Sequence, residues 1–197
     1  MPTSSQPDSI PSARLARLAQ LGAELHANST ESAVWAALEQ TLADFFGHSL
    51  FTVLAFTEQG DVTRLYSTNT DLHPLGTRKS SPTADYDRDN VETPPPPPCR
   101  EAWCQQVLVD GNVWRGSVRE DLKAAFEDWE QLWQAGLGSV MNIPVRLNGV
   151  TIGSLNILDK EHGYDTADLK LCILIAQIVA CFIHRVAGET VKKQLSR

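Results

Sequence analysis

Two apolar segments separated by Asn148-Gly149 form the clearest pattern in the chain. The segments cover residues 138–147 and 150–158 and are rich in β-branched side chains, which are typical of strands. Asn-Gly between two such runs is the strongest short-range signal for a two-residue β-hairpin turn. The pattern therefore predicts an antiparallel hairpin at the centre of a sheet.

A second hairpin is predicted earlier in the chain. The segment Leu50–Phe56 is apolar on both faces and reads as a central strand, whereas Val62–Thr68 is more polar and reads as its return strand, nearer an edge. A further short strand is predicted over Val113–Arg115. With the central hairpin, these strands predict an antiparallel sheet of about five or six strands.

Apolar residues at helical spacing predict helices around the sheet. We expect helices over about 12–26 and 29–46, a short one near Trp103, and one over about 118–135. The apolar face of the 118–135 helix comprises Leu122, Phe126, Trp129 and Trp133.

One long helix is predicted to begin at Asp165 or Asp168, where an acidic side chain favours a helix N-terminus. It is apolar nearly all round, with one narrow polar stripe of Lys170, Gln177 and His184. Such a helix must be covered on most sides. We expect the sheet to cover one side, and the first two helices or a second subunit to cover the other.

The domain organisation follows from where these patterns stop. Residues 1–11 are rich in Ser and Pro and are predicted to be disordered, residues 12–188 to form a single domain, and residues 189–197 to form a polar tail. Within the domain, residues 69–100 show neither a helix nor a strand period and include the prolines 94–98. A loop of this length is either a functional lid or a flexible insertion.

Composition narrows the class of function. The net charge of −7 argues against binding to nucleic acid and against an electrostatic hold on anionic membranes. The apolar run 171–183 is shorter than a bilayer span, and the first residues lack the pattern of a signal peptide. The four cysteines include no CxxC pair, and the histidines lack metal-ligand spacing. We therefore expect a cytoplasmic protein without a bound metal.

Two amides interrupt the strongest strands. A buried amide without a partner costs about 1–3 kcal/mol, so Asn142 and Asn156 should each be hydrogen-bonded. A two-residue turn at 148–149 places Asn142 opposite Leu155, and the two amides then face opposite sides of the sheet. Only one amide would face a pocket, unless a bulge shifts the pairing.

Over residues 29–186, the order of elements resembles that of the GAF domains. The segments 138–145 and 151–157 are similar to the two central strands of that family, and Arg78-Lys79 resembles small stand-alone bacterial GAF proteins. The resemblance implies an α+β fold of the PAS/GAF type. Its central antiparallel sheet carries terminal helices on one face, often as a dimer bundle, and a loop-covered pocket on the other.

This resemblance implies a non-catalytic sensory or regulatory module that binds a small polar or anionic molecule and acts as a homodimer through its terminal helices. The family's cyclic-nucleotide pattern is absent, and no Cys-His pair is present to attach a bilin, so no cofactor is expected. The candidate ligand-binding residues lie on elements that should rim the pocket. They are Tyr66, Arg78, Lys79, Trp114, Arg115, Asn142 and Asn156.

Two alternatives remain open at this point. One branch of the family reduces free methionine-(R)-sulfoxide, and Cys104 lies roughly where that enzyme has a loop cysteine, with Cys99 close by. That chemistry requires an accessible, activated thiol, whereas Cys104 falls on an apolar face beside Trp103, where burial is the simpler explanation. The other alternative is a dimerisation scaffold that binds no ligand.

Overall fold

The computed structural model describes residues 12–27, 29–56, 62–76, 78–79, 103 and 105–195. The chain divides into two compact units, Met1–Phe45 and Phe46–Arg197. The N-terminal segment predicted to be disordered and most of the predicted long loop lie outside the described residues.

The first unit is built from two helices, α1 (Ser12–His26) and α2 (Glu31–Phe46). Both were predicted, and Thr30 caps α2, because its hydroxyl accepts the amide hydrogen of Ala33 over 3.3 Å. Arg17 of α1 is ion-paired with Asp44 of α2 at 2.6 Å. Each helix has one buried apolar stripe, comprising Leu18 and Leu21 in α1 and Val34, Trp35, Leu38 and Leu42 in α2.

The second unit is built on a six-stranded sheet in which every neighbouring pair is antiparallel. The order across the sheet is β3-β2-β1-β6-β5-β4. The strands are β1 (Leu50–Phe56), β2 (Val62–Ser67), β3 (Arg78–Lys79), β4 (Trp114–Gly116), β5 (Ser139–Leu147) and β6 (Val150–Asp159). The predicted α+β fold with a central antiparallel sheet is confirmed.

The central hairpin forms as predicted. Asn148 and Gly149 both have positive φ angles, 52° and 82°, as a type I′ turn requires. Leu147 pairs with Val150 directly across this turn. The chain therefore reverses direction within two residues.

A β-bulge in β6 changes the pairing predicted for this hairpin. Arg146 pairs with Thr151, but Val145 pairs with Gly153, so Ile152 is an extra residue on β6. Beyond the bulge, Asn142 lies opposite Asn156. The prediction that the two amides face opposite sides was wrong, because one inserted residue moves every following side chain of β6 to the other face.

A second bulge lies in β2. Val53 of β1 pairs with Tyr66, but Leu54 pairs with Arg64, which leaves Leu65 as the extra residue. Arg64 and Tyr66 therefore point to opposite faces of the sheet, although they are two residues apart and would share a face in a regular strand.

The C-terminal helices cover one face of the sheet. They are α5 (Leu169–Ile178), which packs along β5, and α6 (Ala180–Leu195), which contacts β1, β2, β5 and β6. Asp168 caps α5 as predicted, because its carboxylate accepts the amide hydrogens of Lys170 and Leu171 at 3.0 and 3.3 Å. The prediction of one continuous helix was wrong, since the chain bends by 53° at a break between the two.

Neither α5 nor α6 is long and apolar enough to cross a membrane alone, and the same holds for every other helix that the structure describes. Among the described residues, one bent pair, α5 with residues 180–190 of α6, is together long and apolar enough for a span, by length and composition only.

Short elements cover the opposite face. They are a π-helical turn (Gln105–Val109), α3 (Arg119–Ala125) and α4 (Trp129–Gln134). One helix was predicted over 118–135, but Phe126 adopts an extended conformation and ends α3. Its ring instead packs between Trp103 and Trp114, with centroids 6.0 and 5.6 Å away. The break also places Asp128 at the start of α4.

We predict that Gly153→Ala is strongly destabilising. A Cβ at this position would collide with the backbone oxygen of Leu54 and lie 3.5 Å from Ile183 of α6, so the sheet would have to move. We expect the free energy of unfolding in urea to fall by about 1–3 kcal/mol. The control is Gly188→Ala in α6, where a Cβ has no neighbour within 4 Å, so the change should stabilise by about 0.5–1 kcal/mol. Equal stability of the two variants would contradict the prediction.

Candidate functional site

A row of polar side chains crosses the middle of the sheet on the face opposite α5 and α6. The side-chain amide of Asn142 donates to Asn156 Oδ1 over 2.7 Å, and Asn156 Nδ2 donates to the hydroxyl of Thr52 over 3.3 Å. These three residues are 3%, 4% and 2% exposed. They occupy neighbouring strands at paired positions, so the sheet register itself holds the chain of hydrogen bonds in line.

Apolar clusters lie on both sides of this row along the strands. One contains Leu54, Val62 and Trp103, and the other contains Val140 and Leu158. The polar row is thus enclosed in an apolar environment, where hydrogen bonds are strong and an unpaired polar atom is costly.

One atom of the row is unpaired. Asn142 Oδ1 is buried and has no hydrogen-bond partner within the described part of the chain. If every bond in the row reverses direction, Thr52 donates to Asn156, Asn156 donates to Asn142, and the spare atom becomes the amide nitrogen of Asn142. The row therefore presents one free acceptor or one free donor, and its net charge is zero in both cases.

The row lines a partly open cavity with a volume of about 40 Å³. Its walls come from the sheet, from α4 and from the segments that cover this face. The lining residues are Thr52, Leu54, Arg64, His73, Trp103, Phe126, Asp128, Leu132, Val140, Asn142, Asn156 and Leu158. A cavity of this volume has room for a small molecule.

Arg64 is the buried cation of the cavity. It is 8% exposed, its Nη1 donates to the carbonyl of Pro74 over 3.3 Å, and its Nε is buried without a partner among the described residues. Burial lowers the pKa of the guanidinium, and the Coulomb attraction of Asp128 opposes this effect. The described carboxylates form no ion pair with Arg64.

The segment 68–76 closes the cavity at the β2 edge. His73 Nε2 lies 3.7 Å from Asp128 Oδ2 at the start of α4, and Gly76 donates its amide hydrogen to the backbone oxygen of Arg64 over 3.0 Å. The cavity wall on this side is therefore held by contacts from Arg64 and Asp128, both of which also line the interior.

The structure brings together some of the residues predicted to bind a ligand. Asn142 and Asn156 line the cavity, and Trp114 pairs with Asn142 from β4. Tyr66 lies on the other face against Phe51, with ring centroids 5.6 Å apart. Arg115 also points away, since its guanidinium donates to the backbone oxygens of Tyr164 and Asp165 at 3.2 and 3.0 Å.

Other predicted residues are only partly described. Arg78 and Lys79 form the edge strand β3 beside Val62 and Thr63, and their side chains lie outside the description, as do Cys99 and Cys104. The described cysteines are Cys172, which is buried, and Cys181, which is exposed on α6. Burial raises the pKa of the Cys172 thiol to about 12, which disfavours the reactive thiolate. The described residues include no group of His, Cys, Asp or Glu that could hold a metal ion.

Sequence reasoning missed four polar residues of the cavity. They are Thr52, Arg64, His73 and Asp128. Arg64 has a signal in the sequence, because this charged residue shares its face of the strand with the apolar Val62, although the polar character of the strand predicts a position nearer an edge. Arg64 is buried because the bulge at Leu65 sets its face of the sheet and the segment 68–76 covers it, and neither feature has a local sequence signal.

The chain is similar to proteins of one known family. A model of the GAF domain matches residues 27–184, whereas no curated protein matches the chain. Among solved structures, the fold is similar to the GAF domain of a phosphoenolpyruvate-protein phosphotransferase from Coxiella burnetii, with a TM-score of 0.66 and 14% identity over 93% of this chain and 99% of that one.

Two further solved structures have the same fold. The GAF domain of a two-component sensor histidine kinase from Bacillus halodurans aligns with a TM-score of 0.54 and 14% identity over 82% of this chain and 98% of that one. The type II free methionine-R-sulfoxide reductase from Thermoplasma acidophilum aligns with a TM-score of 0.52 and 15% identity over 79% and 92%. At these identities the similarity shows the fold alone.

We predict strong coupling between the two amides. Asn156→Leu leaves Thr52 and Asn142 without their partner, so we expect a loss of about 1–3 kcal/mol in the free energy of unfolding. Asn142→Leu removes the unpaired atom as well as one bond, and should cost less. The loss in the free energy of unfolding of the double variant, measured in urea at pH 7, should be smaller than the sum of the two single losses by about 1 kcal/mol or more. Additive losses would contradict the pairing.

Proposed function

The chain belongs to the GAF domain family, whose members are sensory and regulatory modules, and on that premise we propose that it is a non-catalytic sensor of a small polar or anionic molecule. In this proposal it acts in the cytoplasm as a homodimer, and the ligand occupies the cavity beside the Thr52–Asn156–Asn142 row.

The buried, unpaired atom of Asn142 is the observation that supports this proposal most directly. A buried polar group without a partner costs about 1–3 kcal/mol. Ser154 Oγ and Trp133 Nε1 are also buried without a partner among the described residues, but neither residue lines this cavity. Here Asn142 lines a cavity that is also lined by the buried Arg64. A ligand that bonds to both residues would satisfy them together.

The described lining residues favour binding over catalysis. They include amides, a guanidinium and one hydroxyl, and that hydroxyl of Thr52 is already hydrogen-bonded to Asn156. A nucleophile needs an adjacent base, and neither His73 nor Asp128 forms a hydrogen bond to Thr52 within the described region.

Exposed apolar side chains on the helices support the homodimer. Ile173 and Leu174 of α5 are 42% and 43% exposed, and Leu15 of α1 is 58% exposed. Leucine and isoleucine at such positions gain free energy when a second subunit removes them from water.

The sheet offers a route for the signal. Strands β5 and β6 carry Asn142 and Asn156 on the cavity face, while α5 and α6 pack on the opposite face of the same strands. A ligand that favours one position of these strands also favours one arrangement of the helices, and so shifts the population of dimer states.

The first test is native mass spectrometry of the protein as purified from cells. We expect a dimer mass with a reproducible extra mass on each subunit, and loss of that extra mass in Asn142→Leu, since the row then ends in an apolar side chain. A dimer without extra mass that also resists stabilisation by candidate ligands would favour the scaffold. Turnover of free methionine sulfoxide that is lost in Cys104→Ser would favour the reductase.

The dimer surface has its own test. We expect Leu174→Asp to convert the dimer to a monomer in light scattering, because the substitution places a charge in the proposed contact. Val150→Asp is the control, since Val150 is 64% exposed at the tip of the central hairpin and lies away from α5. A dimer that survives both substitutions would contradict α5 as the contact surface.

A further inference from the structure

We propose that the ligand is a short monocarboxylate whose charged group pairs with Arg64 and whose short apolar part lies against Leu54, Trp103 and Phe126. This inference rests on the proposed sensor function and adds the chemical class of the ligand. Three observations carry it, namely the charge of the cavity, the polar row and the size and composition of its walls.

The buried positive charge of Arg64 favours an anionic ligand. Two other arginines of the described region have carboxylate partners, namely Arg17 with Asp44 at 2.6 Å and Arg185 with Glu189 at 3.1 Å. Arg64 is more buried than either of them, yet its described contacts comprise one carbonyl oxygen and no carboxylate. A buried guanidinium is stabilised chiefly by a bidentate oxyanion, whose two oxygens match its planar donors.

Asp128 does not form an ion pair with Arg64. Its carboxylate lies 3.7 Å from His73 Nε2, and it acts on Arg64 only through a longer-range Coulomb attraction. The guanidinium therefore keeps donors for a ligand, while Asp128 favours a ligand of low charge over a multiply charged one, because excess negative charge would be repelled.

The polar row supplies a matching donor. In its reversed direction, the row ends in a free N–H of Asn142, which can donate to a carboxylate without adding a second charge. A neutral carboxamide would also bond to Asn142, but it would leave Arg64 without an anion. The charge on Arg64 is thus the feature that discriminates between these two kinds of ligand.

The size and walls of the cavity favour a short organic acid over an inorganic oxyanion. The volume of about 40 Å³ suits a molecule of a few non-hydrogen atoms. Half of the described lining residues are apolar, and they surround the polar groups on the sheet. Phosphate is larger, carries on average more than one negative charge near neutral pH and is polar on all sides, so it would lose hydration against these walls.

The test compares acetate with acetamide, which have the same number of non-hydrogen atoms and differ in charge. Thermal unfolding of the full chain is followed at constant ionic strength, with chloride as the exchanged anion. We expect saturating acetate to raise Tm by about 2–4 °C, and acetamide to leave it unchanged. The acetate shift should disappear in Arg64→Gln and persist in Arg185→Gln, whose arginine lies on the surface of α6.

Arg64→Lys provides a second variant that keeps the charge and loses the planar donors. We expect it to retain less than half of the acetate shift, because one ammonium cannot pair with both oxygens in parallel. An equal shift with acetamide, or an acetate shift that survives in Arg64→Gln, would overturn the carboxylate and leave the sensor proposal standing. No shift with either probe, together with no ligand mass on the purified protein, would overturn both.

Discussion

The hydrogen bond between Asn142 and Asn156 depends on register, and most features of the candidate site depend on that bond. It exists because one extra residue at Ile152 brings the two amides to the same face of the central strand pair. With regular pairing, one amide would lie among the apolar residues that contact α5 and α6. A single β-bulge therefore decides whether the sheet has a polar centre on one face or isolated polar groups on both.

The second bulge has the same effect at the edge of the site. Leu65 separates Arg64, which enters the cavity, from Tyr66, which packs on Phe51 on the opposite face. One bulge lies in β6, which carries Asn156 of the polar row, and the other lies in β2 beside the row. Both change the face of a residue with hydrogen-bonding capacity. The binding properties of this face thus come from irregular strand geometry as much as from residue type.

These features explain which parts of the protein could be predicted from its sequence. The central hairpin, the strand β1 and the cap at Asp168 have local signals, because turn, strand and cap preferences act within a few residues. The bulges have no such local signal, because the interactions that stabilise them involve side chains on other strands. The helix breaks at Phe126 and Val179 are similar, because neither has a neighbouring Pro or Gly, and Phe126 leaves its helix to pack between two tryptophans.

The paired amides also constrain how this protein can change during evolution. Loss of Asn156 alone leaves two buried polar groups of the row without a partner, whereas apolar residues at both positions leave only the hydroxyl of Thr52. Once one amide is lost, the loss of the other costs less, so selection should act on the two positions as a unit. Among descendants that no longer need a ligand, positions 142 and 156 should therefore become apolar together, and their joint state would record whether the cavity is still in use.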